Sequence, residues 1–247
     1  MDEQASEIPL YDTYFVGDAK ARWYALGAIA KARNVLALCK DLKPNRIADI
    51  GAGNGEVTAR LFDAQLGSRY SAFEISESGL ATMRNRFEKD TVECVKFDGY
   101  DIPADDDSFD LAVLSHVIEH VEHPRKLLYE TRRVSQYACI EVPLEHRSLR
   151  ATNGEAWQPD NTGHINFYDL TTARWLLETS GWKVLKFIVC NPPREVLQFS
   201  QGRTRGFCQW AIREALLRLT PRIAQKLFCY HACFLCERGP TVTALLV

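Results

Sequence analysis

Residues 46–56 read Arg46-Ile47-Ala48-Asp49-Ile50-Gly51-Ala52-Gly53-Asn54-Gly55-Glu56, the most informative segment of this chain. Its first five residues predict a short buried strand, and the three glycines predict a tight turn that opens a helix near Glu56. Glycine lets the backbone turn sharply and lie close to a ligand, because it has no Cβ. An acid, Glu74, ends the next predicted strand about 20 residues later, where nucleotide-binding folds bind a ribose hydroxyl.

Outward from this stretch, short apolar runs alternate with amphipathic segments. Strands are predicted at 46–50, 70–75, 92–97, 109–114, 137–142 and 183–189, and helices at 18–42, from 56, 78–89, 124–134 and 171–180. Two further helices, at 207–219 and 221–228, precede a last strand at 232–237, for which a continuing helix is the alternative. The alternation predicts an α/β fold: a doubly wound, Rossmann-like, mostly parallel seven-stranded sheet with an N-terminal helical cap and a helical insertion before the last strand.

The composition excludes several classes of protein. Of the 247 residues, 46% are hydrophobic and 25% are charged, which excludes intrinsic disorder and a collagen-like fibre. No run approaches about 18 uninterrupted apolar residues, so no transmembrane segment is predicted. The acidic start at residues 1–4 lacks the pattern of a secretory signal, and the eight cysteines are scattered. We therefore expect a cytoplasmic protein with reduced, mostly buried thiols.

Four segments, in order along the chain, resemble the class I S-adenosylmethionine-dependent methyltransferases, of the small-molecule type that includes the ubiquinone-biosynthesis O-methyltransferases. The segment Asp49-x-Gly51-x-Gly53-x-Gly55 is similar to the first motif, whose loop holds the methionine half of the cofactor. Glu74 matches the acid that binds both ribose hydroxyls, and Asp98 matches the acid that meets the adenine amine. The segment 108–116, which ends in Ser115-His116, resembles the fourth motif, beside the transferred methyl.

This resemblance covers roughly residues 45–190 and implies an enzyme that moves a methyl group from S-adenosylmethionine to an O or N atom of a small or lipid-linked metabolite. The glycine spacing differs from the typical Gly-x-Gly-x-x-Gly of dinucleotide dehydrogenases. The implied cofactor-binding residues are Asp49, Gly51, Gly53, Gly55, Glu74, Asp98 and Ser115. We expect a single domain over residues 1–247, made of a cap (1–42), a cofactor-binding core (45–190), a basic helical insertion (191–228), and the last strand and tail (229–247).

Histidines supply the candidates for removing the proton of the acceptor. His116, Glu119 and His120 are spaced at i, i+3 and i+4, so on a helical turn they share one face. His164 follows the fifth strand, where the family often closes its acceptor pocket. We predict His116 and His164 as the catalytic residues of a metal-free reaction.

A metal site is the alternative use of the same residues. Glu119, His120 and His164 resemble the ligand pattern of small-RNA 2′-O-methyltransferases, in which Glu-x-x-Glu-His and a later His hold a divalent ion. Here His116 replaces the first Glu, and the softer imidazole suits zinc or a transition metal at least as well as magnesium. This alternative predicts a metal-assisted methyltransferase for a nucleic-acid or sugar hydroxyl. A non-catalytic, cofactor-binding relative is the other alternative, against which the intact glycine loop argues.

Charge is unevenly distributed along the chain. The net charge is −2, yet residues 183–247 carry ten Lys and Arg against three Asp and Glu. The overall pI of about 6.3 argues against a general nucleic-acid partner. In residues 191–228, cations and apolar side chains recur at helical spacing, which predicts either an interfacial helix pair at a membrane surface or over a large acceptor, or an ordinary packed pair with basic outer faces. In the family the segment before the first helix often covers the cofactor, so Tyr11 and Tyr14 are candidates for that role.

Overall fold

The computed structural model describes residues 18–145 and 163–240. Tyr11 and Tyr14 therefore lie outside the described residues. The described elements, in chain order, are α1 (Asp18–Cys39), β1 (Arg46–Ile50), α2 (Glu56–Asp63), β2 (Arg69–Glu74), α3 (Glu77–Arg86), β3 (Val92–Lys96), β4 (Phe109–Ser115), α4 (Pro124–Val134), β5 (Ser135–Leu144), α5 (Leu170–Thr179), β6 (Trp182–Cys190), α6 (Arg194–Gln201), α7 (Arg203–Leu219), α8 (Pro221–Leu227) and β7 (Tyr230–Arg238).

The described strands form a seven-stranded sheet in the order β3-β2-β1-β4-β5-β7-β6. The strands from β3 to β5 pair in parallel, and β7 runs antiparallel to both β5 and β6. The predicted doubly wound, mostly parallel sheet is thus confirmed. Between β1 and β4 the strand order reverses. Because α/β folds bind ligands at such a reversal, outside the carboxyl ends of the strands, this point positions the site.

The centre of the sheet is buried on both faces. In β4, Ala112 and Leu114 pack into one hydrophobic cluster, while Leu111 and Val113 pack into a second cluster on the opposite face. Alternate side chains of a strand point to opposite faces, so helices must cover each side. Full burial of each such aliphatic side chain contributes about 1.5–3 kcal/mol, which explains the continuous apolar run from Leu111 to Leu114 in β4.

Helix α1 belongs to the core as much as it forms a cap. It contacts β5, β6 and β7 as well as α2 and α6. Its buried face includes Ala32, Val35, Leu38 and Cys39, which join the second cluster. The helix ends at Cys39, three residues before the predicted end, and Pro44 follows shortly after it.

The insertion between β6 and β7 contains one more helix than the sequence predicts. Helix α6 covers part of a segment rich in Pro, Arg, Gly and Gln, and Gly202, with φ 87°, separates it from α7. Helix α7 begins four residues before the predicted start. Thr220 precedes α8 as predicted but makes no side-chain capping bond, because its hydroxyl donates to the Leu216 carbonyl at 3.3 Å instead.

The last predicted segment is a strand, β7, and not a continuing helix. Successive side chains of β7 alternate between the two faces of the sheet, so Cys233 lies in one hydrophobic cluster and Cys236 in the other. No disulfide joins the eight cysteines, and Cys208 is exposed. None of the helices in the described ranges is long and apolar enough to cross a membrane.

Candidate functional site

The glycine turn links β1 to α2 at the reversal of strand order. Gly51, Gly53 and Gly55 have φ values of 71°, 60° and 75°. These lie in the left-handed region, which glycine adopts without steric cost, so the sequence spacing reflects a backbone requirement. The turn is joined to β2, because the N–H groups of Gly51 and Ala52 both donate to the Phe73 carbonyl at 2.9 and 3.0 Å.

Glu74 lies at the end of β2 and faces this turn. One carboxylate oxygen accepts a hydrogen bond from the Gly53 N–H at 2.7 Å, and the other accepts from the Ser76 N–H at 2.9 Å. Burial raises the pKa of the carboxyl, and these two N–H groups partly offset that effect. A carboxylate offers about four acceptor positions, so these two bonds do not exhaust it. Glu74 is therefore placed to bind hydroxyl groups over the loop.

Asp49 supports the turn from within the core. Its carboxylate is 2% exposed and accepts a hydrogen bond from the Thr58 hydroxyl at 2.5 Å. Burial raises the pKa of Asp49 to about 6, although the Thr58 hydrogen bond and the Lys31 ammonium lower it in part. Asp49 thus fixes the start of α2 against the end of β1.

Asp98 and Ser115 border the same edge of the sheet in different environments. Asp98 is exposed after β3, where its carboxylate accepts from the Tyr100 and Asp101 N–H groups at 2.8 and 2.7 Å. Ser115, at the end of β4, has a buried hydroxyl with no hydrogen-bond partner among the described residues. Buried hydroxyls in native proteins are nearly always paired, so this one indicates a missing ligand group.

His116 has a strained backbone and lies between two acids. Its φ of 61° is in the left-handed region, and its N–H donates to the Glu141 carbonyl at 2.9 Å. The imidazole Nε2 is 3.3 Å from Glu141 Oε1, and Nδ1 is 3.3 Å from Glu119 Oε1. Strain of this kind costs of order 1–3 kcal/mol and persists where the surroundings fix the residue, often at functional sites. Both ring nitrogens of His116 therefore face carboxylates.

The three predicted metal ligands come together. Ligand atoms of Glu119, His120 and His164 lie within 4.8 Å of one another, and the two imidazole rings are 4.7 Å apart. Glu119 is fully buried, and its Oε1 lies 3.3 Å from Nδ1 of His116. Burial raises the pKa of Glu119, but His116 and His120 outweigh that effect, so the pKa is lowered. His164 Nδ1 lies 2.8 Å from Glu145 Oε2.

Sequence reasoning missed four residues of this region. Glu141 and Glu145 lie on or beside β5, His231 lies on β7, and Lys31 lies on α1 with its Nζ 3.5 Å from the Ser115 carbonyl. An acid inside the apolar run Cys-Ile-Glu-Val was the available signal for Glu141. Burial lowers the pKa of Lys31, and the nearby carboxylates, Glu141 foremost, partly offset this.

The insertion carries a surface that is both basic and apolar. Arg213 does not belong to it, because its guanidinium is buried against the rings of Phe228 and Tyr230, 5.3 Å from each ring centroid, and donates to the Cys229 carbonyl. We call the following exposed residues the basic apolar surface: Arg205, Ile212 and Leu219, which recur every seven residues on one face of α7, and Arg222, Ile223, Lys226 and Leu227 of α8.

Comparison with known proteins identifies relatives. A family model described as a methyltransferase domain matches residues 22–186. A demethylmenaquinone methyltransferase of Clavibacter sepedonicus is 42% identical over 112 residues, which are 41% of this chain and 45% of that protein. The chain spans about half the length of the curated relatives it matches.

Solved structures share the fold at low identity. The magnesium protoporphyrin IX methyltransferase of Synechocystis, solved with bound S-adenosylhomocysteine, has a TM-score of 0.59 at 10% identity, over 96% of each chain. A protein solved in complex with the Haloferax volcanii Trm112 methyltransferase activator has a TM-score of 0.62 at 15% identity, over 97% of this chain and 99% of that one. Identities this low support the fold alone.

Proposed function

Because this chain belongs to the class I S-adenosylmethionine-dependent methyltransferases, we propose that it transfers a methyl group from S-adenosylmethionine to an oxygen or nitrogen atom of a small or lipid-linked metabolite. One observation carries the proposal. Three features lie together where the strand order reverses: the left-handed glycine turn, the buried Glu74 carboxylate and the Ser115 hydroxyl, which has no hydrogen-bond partner among the described residues. Such an edge, lined by open acceptors and close backbone, suits a nucleoside-containing cofactor.

The residues at this edge fit that cofactor in distinct ways. The glycine turn allows close backbone approach, Glu74 offers acceptors for two ribose hydroxyls, and Asp98 offers an acceptor beyond β3. When bound, S-adenosylmethionine supplies a methyl group activated by its positively charged sulfur. The task of the protein is then to align the acceptor with that methyl and to remove the acceptor's proton.

His164 is the better placed of the two predicted catalytic histidines. Its Nδ1 lies 2.8 Å from Glu145, and a carboxylate at that nitrogen fixes the ring so that Nε2 accepts protons. Both nitrogens of His116, in contrast, face carboxylates. We therefore assign proton removal to His164, with Glu145 as the residue that positions it.

The second candidate function is metal-assisted transfer to a hydroxyl. The cluster of Glu119, His120 and His164 favours it, because a fully buried carboxylate beside two imidazoles offers a ligand set for a divalent cation. A divalent ion held there would lower the pKa of a bound acceptor hydroxyl. In this form His164 is a ligand and not a base.

The basic apolar surface supports a lipid-linked acceptor. Exposed cations and large apolar side chains together favour contact with an anionic membrane. The quinone in the name of the Clavibacter relative is consistent with an acceptor of this kind.

The proposed function is tested by methyl transfer from radiolabelled S-adenosylmethionine into fractionated cell extracts. We expect label in the organic-soluble fraction with the wild type, and at least a tenfold lower rate with His164→Gln, since general base catalysis typically contributes 10²–10⁴-fold. Chelation without loss of rate would exclude the metal-assisted form. Cofactor binding without label in any fraction would identify a non-catalytic relative and overturn the proposal.

A further inference from the structure

A second cluster of metal-binding side chains lies beside the predicted one. It consists of His116 after β4, Glu141 in β5 and His231 in β7, three neighbouring strands of the sheet. Their ligand atoms all lie within 4.8 Å of one another. The sequence predicts His116 together with Glu119 and His120, whereas the structure turns its Nε2 towards Glu141.

The distances within this cluster fit three ligands of one ion as well as they fit long hydrogen bonds. Glu141 Oε1 is 3.3 Å from His116 Nε2 and 3.5 Å from His231 Nδ1. Hydrogen bonds between nitrogen and oxygen usually measure about 2.7–3.2 Å. Ligand atoms around a tetrahedral ion with bonds of about 2.0–2.1 Å are instead about 3.4 Å apart. The two imidazole rings are 4.5 Å apart and nearly perpendicular, so both edges reach the same oxygen.

The surrounding residues hold the cluster in the way that metal sites are held. Asn34 on α1 donates to Glu141 Oε2 at 2.8 Å, which leaves Oε1 directed at the two histidines. Glu119 Oε1 lies 3.3 Å from Nδ1 of His116, the nitrogen opposite the one that faces Glu141. An acid on the far nitrogen of a histidine ligand is the usual means of orienting the ring and raising its basicity.

Charge balance favours a divalent cation at this place. Glu141 is 1% exposed and Glu119 is fully buried, so two carboxylates share a region from which water is excluded. Lys31 is the nearby cation on α1, and burial lowers its pKa. Buried carboxylates are rarely stable without a compensating positive charge, and a metal ion is one of the groups that can supply it.

We propose that His116, Glu141 and His231 hold a divalent first-row transition-metal ion, for which zinc suits the donor set best, at a site separate from Glu119, His120 and His164. Two imidazoles and one carboxylate with a fourth position open form a ligand set that zinc uses in proteins. The ion joins the ends of β4, β5 and β7 beneath α1. This site does not depend on the proposed reaction, because it is defined by the ligand atoms alone.

The experiment is a titration of the full chain, stripped of metal, with Zn²⁺ and with the spectroscopic probe Co²⁺. We expect one Co²⁺ ion to bind tightly to each protein chain and to show the visible absorption bands of four-coordinate Co²⁺. His231→Gln should weaken this binding at least tenfold, and Glu141→Gln should do the same. The matched controls are His164→Gln, which alters the other cluster, and His123→Gln, which replaces an exposed histidine. Both variants should still bind one metal ion per chain.

The outcomes separate the two clusters. Retention of the Co²⁺ bands in His164→Gln together with their loss in His231→Gln supports the site. If the wild type does not bind Co²⁺, the proposed site is wrong. It is also wrong if His164→Gln no longer binds Co²⁺, whatever the result for His231→Gln. If Glu141→Gln fails to fold, as judged by circular dichroism, His231→Gln still decides, because that side chain is 18% exposed and lies at the cluster's edge. None of these readouts uses methyl transfer, so failure of the proposed reaction is distinguishable.

Discussion

Asp49 shows how a site residue reduces the stability of the fold. Burial raises its pKa to about 6, from an ordinary value of about 3.9. The folded state therefore holds this proton more tightly than the unfolded state. Its stabilising contribution is present below about pH 4 and is lost as the pH rises through 6. At neutral pH the protein retains a buried charge that its core does not favour.

Replacement of this acid should stabilise the protein in a pH-dependent way. In Asp49→Asn the amide oxygen still accepts from Thr58, and the buried charge is gone. We expect the free energy of unfolding to rise by about 2–3 kcal/mol at pH 8 and to change little at pH 4, as measured by urea unfolding. Asp98→Asn is the exposed control and should stay within about 0.5 kcal/mol. An equal gain at both pH values, or a loss at pH 8, would contradict this account.

Gly79 in α3 was not singled out from the sequence, yet it packs directly on the glycine turn. A Cβ at this position would lie 2.6 Å from the Gly53 carbonyl oxygen and 3.0 Å from Glu74 Cγ. Gly79→Ala should therefore lower the free energy of unfolding by about 1–3 kcal/mol and weaken cofactor binding, because the turn must shift. Denaturant unfolding and calorimetry measure the two effects.

Gly27→Ala is the matched control for this substitution. Gly27 also lies within a helix, α1, but a Cβ there would meet nothing within 4 Å. Since alanine favours helices, we expect a gain of about 0.5–1 kcal/mol. A Gly79→Ala protein as stable as the wild type, with unchanged cofactor affinity, would show that the contact with the turn is not important.

At the scale of elements, α7 and α8 provide a test of membrane contact. Leu219 is 79% exposed and Ile223 is 53% exposed, so Leu219→Glu/Ile223→Glu should leave the fold intact. Burial of each such side chain in a bilayer interface contributes about 1.5–3 kcal/mol, and each nearby cation about 1 kcal/mol. We expect the wild type to sediment with vesicles containing phosphatidylglycerol, and the variant to bind at least tenfold more weakly.

The control for this experiment is an equally exposed apolar side chain on another element. Trp175 on α5 is 65% exposed, and Trp175→Glu should bind vesicles as the wild type does. High salt should release the wild type, since the attraction is screened within a Debye length of about 8–10 Å at moderate ionic strength. If the wild type does not sediment at low salt, the insertion is an ordinary packed helix group.

Local patterns predicted most elements because local forces form them. Helix α4 begins at Pro124 and ends at Val134 as predicted, since proline favours the first turn and Leu127, Leu128 and Thr131 repeat on its buried face. Helix α6 is amphipathic, yet it was missed because it lies in a segment rich in Pro, Arg, Gly and Gln, a composition that favours a loop; Leu197 is its one buried residue. Its packing on α7 is a tertiary effect, which sequence periodicity does not contain.

At the scale of the whole molecule, the sequence predicted those parts of the candidate site in which a recognisable motif lies at the end of a predicted strand. The glycine turn, Glu74 and Ser115 each lie at the end of a predicted strand, and parallel strands end at one edge, so their proximity could be inferred. Glu141 and His231 could not be paired in this way. They are 90 residues apart, and only the antiparallel register of β5 with β7 brings them together. Non-local pairing of this kind is decided by the sheet as a whole.

Calorimetric titration of S-adenosylhomocysteine into the wild type and into Glu74→Gln tests whether the cofactor binds at the glycine turn. We expect one binding site in the wild type. In the folded variant the affinity should be at least tenfold lower, because loss of a hydrogen bond to a charged group costs about 1.5–3 kcal/mol. A wild type that does not bind, or a variant that binds equally well, would contradict the assignment of the cofactor site to the glycine turn and Glu74.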